Sequence, residues 1–79
     1  MIPVVAVITA KPGQRSTILD AFRANVPAVL AEDGCIEYGA AVDTENASAL
    51  QTKVGPDTFV VIEKWRDLSA LMAHATAPH

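Results

Sequence analysis

The sequence predicts a small α+β domain that completes its core against a second copy of itself. Two stretches, residues 2–9 and 58–65, are dominated by β-branched, apolar and aromatic side chains, the composition of strands. Two others, from Gly13 and from Asp67, repeat apolar residues at helical spacing. Third, 51% of the 79 residues are apolar and only 19% charged. A chain this short hides only about 60–65% of its unfolded surface, so part of that apolar surface is expected to meet a partner.

Ile2 to Thr9 is apolar at nearly every position without alternation, which reads as a strand covered on both faces, and Lys11-Pro12-Gly13 ends it. From about Gly13 to Ala31, Ile18, Leu19, Phe22, Val26, Val29 and Leu30 form one stripe, with Ser16, Asp20 and Arg23 off it. Pro27 falls on the solvent side of this helix and predicts a kink, not a break. Gly34 supplies the stop. Ile36 to Val42 is a short Ala-rich strand, and Asp43 to Asp57 lacks any period and reads as a long loop. Thr58 to Trp65 is the clearest strand, with Phe59, Val61, Glu63 and Trp65 on one face and Val60, Ile62 and Lys64 on the other. Asp67 is placed to cap a second helix whose apolar face is Leu68, Leu71, Met72 and Ala75, limited by Pro78.

The order β-α-β-β-α is the split arrangement of ferredoxin-like folds without the final strand. It predicts strands one and three side by side, strand two at an edge, and a bare or partner-covered edge on strand one where the absent strand would lie. Two helices cover one face of such a sheet, so the apolar residues on the other face call for a second, identical sheet.

Composition narrows the partners and the compartment. One cysteine, Cys35, excludes an internal disulfide, and a buried structural role suits it better than reactivity. No apolar run reaches a membrane span, and Met1-Ile2-Pro3 lacks the basic start of a signal peptide. A cytoplasmic protein without a membrane partner is expected. Six basic residues against nine acidic ones, with the basic ones scattered singly, predict no nucleic-acid partner.

Four segments together resemble a known family: Lys11-Pro12-Gly13 before a long helix; Ala31-Glu32-Asp33-Gly34-Cys35-Ile36-Glu37-Tyr38; Phe59-Val60-Val61-Ile62-Glu63-Lys64-Trp65; and Ala73-His74-Ala75-Thr76-Ala77-Pro78-His79. In order and over almost the whole chain they resemble the antibiotic biosynthesis monooxygenase domain. The resemblance implies one domain, residues 1–79, that stops short of the family's fourth strand. It also implies a homodimer with two sheets face to face. Several members oxidise aromatic polyketides or quinols with molecular oxygen and no bound cofactor, so a small aromatic substrate and no cofactor are expected.

Such chemistry needs a base, a pocket for a flat phenol or quinol, and a dry space for oxygen. His74 is the candidate base, since an imidazole titrates near neutrality and this one borders the apolar face of the second helix; a structural, hydrogen-bonded histidine is the plain alternative. Trp65 would stack on substrate and donate its indole N–H to a carbonyl or peroxide oxygen, or else pack in the core. Glu63, on the same strand face, would pair with a basic group or exchange protons from an apolar setting. Tyr38 could hydrogen-bond a substrate oxygen or simply fill the sheet, with packing the favoured role; Phe59 and Met72 complete the expected substrate contacts, with His79 as the family's second histidine. Five residues apart, His74 and His79 lie on different helix faces without a third ligand nearby, so no metal is expected.

Two other functions compete with the oxygenase: an isomerase or lyase of a small carbonyl compound, and a non-catalytic dimeric ligand-binding or stress-associated module. A haem-degrading relative is disfavoured, because such relatives carry an asparagine on strand one where this chain has Val, Ala, Ile and Thr.

Overall fold

The computed structural model describes residues 1–46 and 48–77. Its elements run β1 (Ile2–Thr9), α1 (Arg15–Leu30), β2 (Cys35–Ala41), a 3₁₀ turn (Ser48–Leu50), β3 (Thr58–Trp65) and α2 (Leu68–Ala75). Among the described residues the strands form one antiparallel sheet in the order β1-β3-β2. This is the expected ferredoxin-like order, with β1 and β2 at the edges.

Register divides the side chains between two faces. Ile2, Val4, Ala6 and Ile8 stand opposite Trp65, Glu63, Val61 and Phe59, and Tyr38 and Ala40 stand opposite Glu63 and Val61 from the other side. Because strand neighbours alternate, all of these share the helix-covered face. The other face carries Pro3, Val5 and Val7 against Lys64, Ile62 and Val60, with Gly39 and Ala41 alongside. Among the described residues nothing covers it, and Val5 and Val7 are 68% and 63% exposed.

The long helix is continuous through the exposed Pro27. Leu19 and Val29 are its buried anchors, Phe22 and Val26 are half-buried, and Ile18 and Leu30 lie at the exposed margins of the stripe. Two clusters make up the core, Leu19–Phe59–Val61 and Val29–Trp65–Ala70, and Tyr38 packs against both.

The second helix departs from its sequence pattern. Asp67 caps it as expected, accepting from the Ala70 N–H at 2.9 Å. Its inward residues, however, are Ala70, Leu71 and His74, while Leu68 and Met72 are exposed. The cause is the entry to the helix. Arg66 N–H donates to the Gly34 carbonyl at 2.7 Å, which brings Ala70 hard against Gly34. A β-carbon at Gly34 would lie 2.5 Å from that of Ala70. Only the small residue fits there, and its i+4 neighbour, His74, is carried inward with it.

Candidate functional site

The first helix lies mainly over β2, and α2 covers only the end of β3 near Trp65. The helix-facing side of β1 and the first half of β3 are therefore left as the floor of a cavity of about 830 Å³ that opens to solvent. Ala6 and Ile8 of β1 and Phe59, Val61 and Glu63 of β3 form the floor. Ile18, Ala21, Phe22 and Asn25 of α1 form the roof, and Tyr38 closes the β2 side. The volume suits a two- or three-ring aromatic molecule, since small-molecule sites run to about 300–1,000 Å³.

An aromatic row extends from the cavity into the core. Phe22 stacks on Tyr38 with ring centroids 5.0 Å apart and meets Phe59 at 5.8 Å. Tyr38 meets the edge of His74 at 5.6 Å, and His74 stacks on Trp65 at 4.6 Å. These offset and edge contacts suit the ring quadrupoles and fix the rings with little freedom.

The row places the expected site residues in two layers. Tyr38, Phe59 and Glu63 face the cavity. Trp65 and His74 stand behind them. Trp65 is fully buried, and its indole N–H donates to Glu63 Oε1 at 2.9 Å. The expectation that the indole would donate to a substrate oxygen is thus corrected: residues i and i+2 of a strand point the same way, and Glu63 is the nearer acceptor. The expectation that Glu63 would pair with a basic group is corrected by the same contact. The ion pair near this strand end is instead Lys64–Glu37, 3.0 Å apart on the opposite face.

His74 points inward, with Nδ1 3.0 Å from Glu32 Oε1 and both side chains largely buried. Glu32 was not among the expected site residues; it lies 42 positions away in sequence, beyond the reach of any periodicity. Asn25 was also missed, as a polar residue on the edge of an apolar helix stripe. Met72 is 59% exposed and lies apart from the cavity, and His79 falls outside the described residues.

The electrostatics keep the neighbouring acids neutral. Burial pushes the Tyr38 phenol above its ordinary range, reinforced by the carboxylates of Glu63 and Glu32. The Cys35 thiol is raised in the same way, by burial first and then by Glu32 and Glu63, which suits an unreactive structural thiol. Tyr38 is therefore an O–H donor at neutral pH.

The sequence and the fold resemble those of known proteins. The family model for antibiotic biosynthesis monooxygenase matches residues 1–79. A protein of Escherichia coli K12 named "Probable quinol monooxygenase YgiN" is 41% identical over an 81-residue alignment that takes in the whole chain and 77% of the relative. The crystal structure of PA3566 from Pseudomonas aeruginosa superposes with a TM-score of 0.76 at 32% identity, covering 98% of this chain and 69% of that one. The structure of Rv0793 from Mycobacterium tuberculosis gives 0.75 at 26% identity, covering 98% and 68%. The chain belongs to the antibiotic biosynthesis monooxygenase family.

Proposed function

We propose that this domain is a cofactor-independent monooxygenase that oxidises a hydroxylated aromatic or quinol with molecular oxygen, acting as a homodimer. One observation carries the reading. A largely apolar cavity of about 830 Å³ has the neutral phenol of Tyr38 and the carboxylate of Glu63 on its wall, with Asn25 in its roof. A flat phenolic ring laid against the contacting pair Phe22 and Phe59 would have its hydroxyl toward the Tyr38 and Glu63 groups. The similarity to a protein named as a quinol monooxygenase supports the same substrate class, and the cofactor-free chemistry is carried over from the family resemblance.

In this reading the apolar walls shield the activated ring from water on the sides they cover, which limits side reactions of the radical formed there. Tyr38 donates to the substrate oxygen as charge builds there. The test is oxygen uptake by the purified protein, stripped of metal and flavin, with a panel of naphthalene diols and anthrones. Consumption of oxygen with hydroxylated quinone as product is expected. Ligand-induced thermal stabilisation of the protein without turnover of any of them would replace this reading with a binding module.

A further inference from the structure

Of the two groups that could take a proton from a bound phenol, only one faces it. His74 is stacked behind Trp65 and engaged with Glu32, whereas Glu63 lines the cavity. Its side chain is nine-tenths buried, with relative exposure of 9%, and the Trp65 indole holds one oxygen, Oε1, at 2.9 Å. The indole is held in turn by its stack on His74, so Glu63 sits at the end of a braced row.

We propose that Glu63 is the catalytic base of the oxygenation and that Trp65 is its positioning residue. The inference rests on the oxygenase reading above. Removing an electron from a phenol makes its O–H far more acidic, so an acceptor as weakly basic as a carboxylate suffices if the proton leaves together with the electron.

The steps balance. The quinol O–H breaks, its proton goes to the Glu63 carboxylate and one electron goes to oxygen, leaving a neutral semiquinone radical and superoxide. These two combine at a ring carbon that bears hydrogen, forming a C–O bond, and the peroxide takes the proton back from Glu63. The carboxylate then removes the hydrogen of that carbon as a proton; the C=O forms, the O–O bond breaks, and the departing hydroxide leaves as water with that proton. Quinol and oxygen give hydroxyquinone and water, and all four electrons come from the substrate.

Glu63→Gln tests this, because the amide keeps the shape and the carbonyl oxygen that the Trp65 N–H needs but cannot accept the proton. Expected is a fall in kcat of about 100-fold or more, the scale of a lost general base. KM and anaerobic binding of a naphthalene diol, followed by quenching of Trp65 fluorescence, should stay near wild type.

The acid limb of the kcat/KM profile should vanish in Glu63→Gln and persist in His74→Gln and Trp65→Phe. The ionisable groups around Glu63 are Tyr38 and Cys35 of β2, with Glu32 and His74 beyond Trp65; Val4 from β1 and Phe22 and Asn25 from α1 are uncharged. An acid limb that survives in Glu63→Gln and disappears in His74→Gln overturns the proposal, as does Glu63→Gln turnover within a few-fold of wild type. If the wild-type protein oxidises no diol, the oxygenase reading itself fails and this assignment goes with it.

Discussion

Glu63 and Tyr38 stand directly opposite each other across β3 and β2, and the Glu63 carboxylate adds to the rise of the Tyr38 phenol. The Tyr38 phenol is held above its ordinary value of 10.0 by burial first and by nearby carboxylates second. A raised folded value means that ionisation costs more in the native state than in the unfolded chain. The associated stability is therefore complete below pH 10 and is lost as pH climbs through the folded value. Urea unfolding of wild type and Tyr38→Phe across the alkaline range should show the wild type losing stability more steeply above pH 10, with the two curves parallel at neutral pH. Equal slopes throughout would mean that the phenol is not shielded. The part of this site legible in the sequence is the part governed by strand alternation: Phe59, Glu63 and Trp65 on one face follow from their spacing. What alternation could not reveal is which neighbour satisfies a buried polar atom. The Trp65–Glu63 hydrogen bond is a matter of side-chain reach, and the His74–Glu32 contact joins the end of α1 to α2 across 42 positions.

The second helix illustrates the same limit one level up. Its start was legible, because an aspartate before an apolar run caps a helix for local reasons. Its inward face was not, because in eight residues the apolar stripe is too short to outweigh one close backbone contact. That contact is Gly34, whose φ of +86° suits only glycine comfortably and whose missing β-carbon makes room for Ala70. Gly34→Ala should therefore be far more harmful than its single methyl suggests. It adds about 1–2 kcal/mol for the left-handed backbone and about 1–3 kcal/mol for overpacking against Ala70. Because α2 carries His74, the strain should also loosen the imidazole from Trp65. A large drop in thermal midpoint together with altered Trp65 fluorescence is expected, whereas a neutral Gly34→Ala would show that α2 docks elsewhere. Gly13, also at positive φ but with open space around it, is the control that separates backbone strain from collision.

At the scale of the molecule, one sheet face is lined by helices and the other is uncovered among the described residues. The bare face centres on Val5 opposite Ile62 and Val7 opposite Val60, is flattened by Gly39 and Ala41, and is rimmed by the Lys64–Glu37 ion pair. Small residues at its β2 side permit a facing sheet to approach to about 10 Å, the usual separation of packed sheets. Apolar side chains at the centre with charge at the rim is the layout of a lasting interface. For a chain this short, leaving such a face in water would forfeit much of the burial available to it. Sedimentation at micromolar concentration should give twice the single-chain mass, with more than about 1,200 Å² buried in total between the two copies. Replacing Val5 and Val7 together by lysine puts four like charges into that interface, two from each copy, and should yield a monomer of lower thermal stability. The cavity lies on the opposite face, so the variant should still bind a naphthalene diol if the monomer stays folded. A wild-type protein that sediments as a monomer, or a Val5→Lys/Val7→Lys variant that remains dimeric, would show that this face is not where two copies meet.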